Sequence, residues 1–415
     1  MAPQTAILPS SEFRAGLRKR GGDTAARCFQ CATCTSVCEL TTNNALFPRQ
    51  QMLRSQWGLG DDLAMDPGVW LCHQCNDCNA RCPRDAKPGD VMQSIRALAV
   101  ERLATPGFMG KLVGNAARTW PLLLGLPILF WIALIGVTNG LEVPEPTNEK
   151  IIHASANVSF VDEAYAAESG SHGNVVTGGE TRLVYEEFVP HKLIYGTYFT
   201  TAALVLIAII ASGVRFWKLL GRNRKRSGSM LAHLIPVLGE IASHKRFGSC
   251  GATSSRRWAH FGVLWGFVGA ALTSALLIVA MYVTGTPLPL EQAHPYKILG
   301  NISAVLLVVG GIWMVVNRLG NADRAGISKA FDTFFLSVVV LVIATGTLTE
   351  IGAFAFPPAL AVGLYVVHLG AVLCLFLTFP YSKFSHMVYR SLAMVHERMV
   401  TPVAAASGEG TPLSD

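Results

Sequence analysis

Six apolar segments, each long enough to cross a bilayer, follow one another between Trp120 and Phe379. They run near Trp120–Thr138, His191–Trp217, Trp258–Val283, Tyr296–Val316, Phe331–Ile351 and Leu360–Phe379. A backbone in hydrocarbon has to satisfy its own hydrogen bonds, so such segments fold as packed helices. The first contains Pro121 and Pro127, which leaves a tilted or interfacial anchor open for it. Composition agrees with a membrane chain. Of 415 residues 51% are hydrophobic and 15% charged, where soluble domains carry about 25% charged. The net charge of +7 then reads as basic loops at a membrane boundary, not as a nucleic-acid surface.

Loop charge gives the expected orientation. The stretch 139–190 is acidic, with Glu142, Glu145, Glu149, Asp162, Glu163, Glu168, Glu186 and Glu187. The next connection opens with Arg222, Arg224, Lys225 and Arg226, and a later one carries Arg318, Arg324 and Lys329. Basic loops stay in the cytoplasm. Both termini are therefore expected there, with 139–190 outside. The start of the chain, Met1–Arg27, is polar and basic and has no apolar signal-peptide core. The end, Thr401–Asp415, is small and polar and is expected to be disordered.

Eight of the ten cysteines fall between Cys28 and Cys82. They form Cys28-x2-Cys31-x2-Cys34-x3-Cys38 and Cys72-x2-Cys75-x2-Cys78-x3-Cys82, followed by Pro83. In the reducing cytoplasm such runs ligate metal in preference to forming disulfides. Two structural zinc sites would use paired CxxC as well, but four cysteines per run, twice at one spacing, is the two-cluster ferredoxin pattern. In that pattern the fourth cysteine of each run serves the other cluster. One [4Fe–4S] cluster is thus assigned to Cys28, Cys31, Cys34 and Cys82, and the other to Cys72, Cys75, Cys78 and Cys38. The insert between the runs is long and reads as helical over Arg49–Trp57 and Leu59–Met65, which points to a helical ferredoxin.

An ionisable side chain inside a membrane marks function by default. His368 lies in the last apolar segment and His386 just past its end, 18 residues on. Eighteen residues are about five helical turns, or about 27 Å, so one continuous helix would show both on one face, one in each leaflet. His260 opens the third segment at the depth to face His386. Two histidines filling both axial positions suit a haem that carries electrons without binding substrate. Gly262, Gly266, Gly269, Ala270, Gly363 and Gly370 would let a flat macrocycle approach the backbone. Histidines at boundaries also occur simply as interfacial residues, and that reading stays open for His386. For His368 the expected axial partner is His294, with His191 second. Lys297, three residues beyond His294, would then reach a quinone carbonyl. The alternative is a single haem, with His368 hydrogen-bonded to a neighbouring carbonyl.

Phe47-Pro48-Arg49 followed by Trp70-x-Cys72 and the second cysteine run resembles the C subunit of heterodisulfide reductases over residues 28 to about 104. The bundle resembles the gamma subunit of respiratory nitrate reductases, a haem b protein. That resemblance implies haem ligands at His368, His386 and His260. It places Ala270 where the family has its other ligand, and His294 and Lys297 where it has a quinone-contacting lysine. The combined layout resembles the C subunit of quinone-interacting membrane-bound oxidoreductase complexes. This implies flavoprotein and iron–sulfur partners of the A and B type, and a link to adenylylsulfate reductase in dissimilatory sulfur metabolism.

The expectation is an all-α protein: an arm over 1–27, a helical two-cluster ferredoxin domain over 28–110, and a first membrane segment with acidic loop over 111–190. A haem b bundle follows over 191–398 and a tail over 399–415. The chain would pass electrons between membrane quinone, one or two haems b, two [4Fe–4S] clusters and soluble partners. It would bind lipid and no nucleic acid, with no catalytic side chain beyond the quinone site. Three other readings remain: a cluster-carrying anchor without haem, a redox-sensing membrane protein, and a heterodisulfide-reductase-like wire with another partner.

Overall fold

A computed structural model describes residues 8–42, 45–144, 183–221, 226–248, 254–286, 290, 292–320, 326 and 329–400. Most of the acidic stretch, the basic residues Arg222, Arg224, Lys225 and Arg324, Cys250 and the tail from Thr401 lie outside them. Among the described residues there is no β-strand, only an isolated bridge between Thr42 and Ala45.

Seven short helices build the N-terminal unit: α1 (Ser11–Lys19), α2 (Thr33–Ser36), α3 (Arg49–Trp57), α4 (Gly60–Ala64), α5 (Pro67–Leu71), α6 (Asp77–Ala80) and α7 (Pro88–Leu103). Local signals set their ends. Ser10 Oγ accepts from Phe13 N at 3.1 Å, with Glu12 in the first turn and Arg18 and Lys19 in the last. Asp66 caps α5 ahead of Pro67, and α3 stops at Gly58, whose φ of 77° suits glycine. Leu17, Phe47, Met52, Leu63, Val69, Met92 and Ile95 close one core around α7. The N-terminal arm thus packs into the cysteine-bearing unit through Leu17.

After α8 (Gly107–Gly114) the described residues form six helices long and apolar enough to span a membrane: α9 (Ala116–Thr138), α11 (His191–Leu220), α13 (Ser254–Tyr282), α14 (Pro295–Gly320), α15 (Ala330–Ala355) and α16 (Pro358–Thr378). The four-residue α10 (Tyr185–Phe188) precedes α11. Leu204, Ile207 and Ile210 on α11, and Ile302, Val305, Val309 and Ile312 on α14, are exposed. A soluble protein would bury such stripes; here they suit contact with acyl chains. α9 packs as a member of the bundle. Pro121 and Pro127 sit inside a continuous helix whose Trp131 and Ile135 are fully buried. Gly370 of α16 lets α9 approach so closely that an added Cβ would stand 2.8 Å from Ile128 Cα.

The small residues on α13 serve helix packing. Gly262 faces Leu306 O, Gly266 faces Leu307, and Gly269 faces Ser303. In return, a Cβ on Gly310 of α14 would lie 2.9 Å from Ala259 O. These glycines therefore seat α14, not a macrocycle. Gly310→Leu is expected to force the pair apart and cost about 1–3 kcal/mol, seen as a lower thermal midpoint in detergent. Gly363→Ala, with nothing within 4 Å of the added carbon, should leave the midpoint unchanged.

The last span does not run on to His386. α16 ends at Thr378, two 3-10 turns cover Phe379–Tyr381 and Lys383–Ser385, and α17 (His386–Val400) starts afresh. Pro380 cannot donate to the helix ladder, and Ser382 is extended, its Oγ capping Phe384 N at 3.4 Å. His368 and His386 thus stand on separate helices, and the five-turn argument for a common face fails. α17 instead turns back beneath the N-terminal unit. Tyr389 packs against Trp70 of α5 and Phe216 of α11, with ring centres 4.7 and 5.2 Å away. Ala64, Leu103, Leu220 and Met394 extend this core, together with Val237 of α12 (Met230–Ala242). One apolar core thereby joins the cysteine-bearing unit to one end of the bundle.

Candidate functional site

The two cysteine runs fold alike. Each run carries two residues in the left-handed region, one in each of its CxxC turns: Gln30 and Ala32 in the first run, Gln74 and Asn76 in the second, with φ of 59°, 68°, 53° and 64°. Such turns aim successive Sγ atoms at one centre. Cys28, Cys31, Cys34 and Cys82 line one pocket with Arg49, Arg84 and Phe29. Cys38, Cys72, Cys75 and Cys78 line the other with Glu39, His73, Gln74 and Asp77. The fourth cysteine of each run has crossed to the opposite set.

The donor chemistry suits clusters. Burial, then its neighbours Cys28, Cys31 and Cys82, push the Cys34 thiol pKa up. Burial, then Cys72, Cys75 and Cys38, do the same to Cys78. Four thiols this close resist ionising together unless iron takes the protons' place. Main-chain N–H groups point at sulfur as well: Gln74 N to Cys72 Sγ at 3.4 Å and Ala86 N to Cys82 Sγ at 3.3 Å. Hydrogen bonds to sulfur are one of the levers that set cluster potential. Cys31 is exposed, while Cys72 is buried on the side toward the bundle.

At that end of the bundle the rings of His260 and His386 face each other, centres 6.3 Å apart and nearly perpendicular. A metal about 2 Å from each of two imidazole nitrogens puts the ring centres roughly 6 Å apart. Their second nitrogens are engaged. His386 Nδ1 donates to Lys383 O at 2.5 Å, which leaves its lone pair on Nε2. His244 Nδ1 lies 3.5 Å from Ala242 O and its Nε2 lies 2.8 Å from His260 Nδ1. With the His244 proton on Nδ1, its Nε2 accepts from His260 Nδ1, and the His260 lone pair also falls on Nε2. Burial pushes the pKa of His386 down to about 4 and lowers that of His244. Both rings are therefore neutral, as metal ligation and this hydrogen-bond chain need. His244 was not singled out in the sequence. It sits outside any span, 16 residues from its partner, with only a positive φ of 51° to mark it.

The far end of the bundle is arranged differently. Thr345 Oγ1 donates to Leu341 O at 2.6 Å and so accepts from His368 Nδ1 at 3.0 Å. The ring lies over Gly346, where a Cβ would come within 2.9 Å of it. Among the described contacts none joins His368 to His294 or His191. His294 stacks edge-on to Tyr296. His191 Nδ1 pairs with Glu186 at 2.6 Å. Lys297 Nζ pairs with Glu350 Oε1 at 2.5 Å, beside Gln292.

Residues 179–407, more than half of the chain, match the family model for citrate utilization protein B. The chain belongs to the citrate utilization protein B family. Residues 24–86 match the 4Fe-4S dicluster domain, so iron–sulfur clusters are the cofactors of the N-terminal unit. Citrate utilization protein B of Escherichia coli is 24% identical over 390 residues, 89% of this chain and 88% of that protein. The C subunit of the H(2):CoB-CoM heterodisulfide,ferredoxin reductase of Methanothermobacter thermautotrophicus is 37% identical over 107 residues, 25% of this chain. A protein of Archaeoglobus profundus, itself described as like the C subunit of heterodisulfide reductase, is 33% identical over 89 residues. These alignments span 56% and 47% of the two archaeal proteins, about half their length. No solved structure matches the chain.

Proposed function

We propose that this chain is a membrane electron-transfer subunit linking the quinone pool to soluble flavoprotein and iron–sulfur partners. The observation that carries the reading is the facing pair His260 and His386, 6.3 Å apart, directly beneath the cysteine-bearing unit. In this reading Cys28, Cys31, Cys34 and Cys82 hold one [4Fe–4S] cluster, and Cys38, Cys72, Cys75 and Cys78 the other. His260 and His386 hold a haem b, and His368 is a ligand of a second. Bound there, these groups supply one-electron carriers.

The chain's own residues position and insulate. Lys383 O and His244 orient the two imidazoles. Trp70, Phe216 and Tyr389 exclude water between the unit and the bundle. At the far end Lys297 offers a proton to a quinone carbonyl, and Glu350, 2.5 Å from it, receives the proton when quinol is oxidised. The ferredoxin unit and both termini face the cytoplasm, by the loop charges. The match along nearly the whole chain to a protein named for citrate utilization favours a partner in carboxylate metabolism. It does so over the adenylylsulfate reductase that the C-subunit resemblance implies.

The test uses full-length protein purified anaerobically and returned to lipid. Quinol should reduce a low-spin b-type absorbance, and extraction should give one or two haems per chain. A protein with clusters but no haem, and no response to quinol, would establish the haem-free anchor instead.

A further inference from the structure

The matching turns of the two cysteine runs are held by different charges. In the first run Gln56, a neutral amide, donates to Cys28 O at 2.8 Å and Ala25 O at 3.0 Å. Arg49, half-buried, lines the pocket and donates to the Gln30 side chain at 3.4 Å, but reaches no main-chain carbonyl of the turn among the described contacts. In the second run Cys72 O, the counterpart of Cys28 O, accepts from two guanidiniums: Arg96 at 2.5 Å and Arg390 at 3.3 Å. Arg390 also donates to His73 Nδ1 at 3.1 Å, and Arg256 donates to Gln74 O at 2.9 Å. Arg96 further binds Val69 O at 2.7 Å and the Gln74 side chain at 3.3 Å.

The origin of these arginines matters. Arg256 precedes His260 by four residues on α13, and Arg390 follows His386 by four on α17. Four residues are about one helical turn, so each arginine shares a face with its histidine. The second run is thereby fastened to both helices that carry the paired imidazoles.

We infer that Arg390 and Arg256, with Arg96, form a clasp that raises the reduction potential of the cluster held by Cys38, Cys72, Cys75 and Cys78. This rests on the proposed function. Reduction adds a negative charge to a cluster, and a nearby fixed positive charge stabilises the reduced form. The three arginines are half-buried, so solvent screens them less than a fully exposed charge. Acidic groups face the same pocket: exposed Glu39 and half-buried Asp77. Glu397 also lies near Arg390 but is bonded to Arg246 at 2.9 Å. At the first run Arg84 is exposed, stacked on Phe29 at 4.0 Å, where water weakens its field, and Arg49 is the one half-buried guanidinium lining the pocket, against three that bind the second run.

The experiment is a redox titration of the full-length protein, followed by electron paramagnetic resonance of the two clusters. In Arg390→Gln one transition should move to lower potential. The ratio of oxidised to reduced cluster at fixed potential should rise about tenfold, or about 59 mV for one electron. Arg256→Gln should move the same transition in the same direction. Arg390→Lys, which keeps the charge and loses the fork, should move it much less. Arg84→Gln should leave it in place. Equal shifts in Arg390→Gln and Arg390→Lys would mean that hydrogen bonding sets the potential, and would overturn the inference. Two wild-type signals that neither glutamine variant moves would overturn it alone. A wild-type protein without two cluster signals would overturn the proposed function as well.

Discussion

Full-length protein carrying His260→Ala is expected to lose one low-spin haem b while keeping both iron–sulfur clusters. A bis-histidine haem loses half its axial ligation with either imidazole, so His386→Ala should give the same result. His244→Ala removes only the group that orients His260. Loss of such an orienting partner typically weakens metal binding about 10–100-fold, so that variant should retain haem poorly, not lack it. Reduced-minus-oxidised spectra, with haem extracted per chain, check all three. Iron and sulfide content should stay at the wild-type level, because the cysteine pockets share no ligand with the histidine pair. Quinol-driven reduction of the clusters should collapse with the haem signal. A His260→Ala protein with an unchanged haem spectrum would reject the pairing.

Exchanging single cysteines should cross the two motifs. Cys38→Ser should remove the cluster whose other three ligands come from Cys72, Cys75 and Cys78. Cys82→Ser should remove the one held by Cys28, Cys31 and Cys34. Each variant should fall from about eight iron atoms per chain to about four, the content of one cubane. The surviving resonance should differ between the two. Cys38→Ser also identifies the transition that the arginine clasp shifts, because that transition should be the one missing. If Cys38→Ser instead shared its surviving signal with Cys28→Ser, each run would be closing its own cluster and the crossed assignment would fall.

The cysteine chemistry was legible in the chain because cluster ligation depends on spacing. Eight thiols in two equal runs fix which atoms can meet around iron, and the folded turns at Gln30, Ala32, Gln74 and Asn76 carry that spacing into space. The six spans were legible for a similar reason. Bilayer thickness sets how many apolar residues each needs, and helix ends shifted by only a few residues, as at Ala116. Even the break before His386 had a local signal in Pro380 and Ser382, which the 18-residue arithmetic overrode.

What the sequence could not supply were the partners of polar groups across long separations. Gly262 and Gly269 could as well have bordered a macrocycle as a helix; α14 fills that space because Gly310 and Ser303 happen to face them. His244 became the partner of His260 only when a left-handed turn after α12 brought its ring beneath α13. Arg390 lies 318 positions from the carbonyl of Cys72 that it binds, and no periodicity reaches so far. Spacing and hydropathy are properties of contiguous residues, so the sequence by itself determined the grouping of the cysteines around two pockets and the long apolar helices. The orientation of the histidines and the charge around the second cysteine run depend on which helix faces are packed together, and only the tertiary structure decided those.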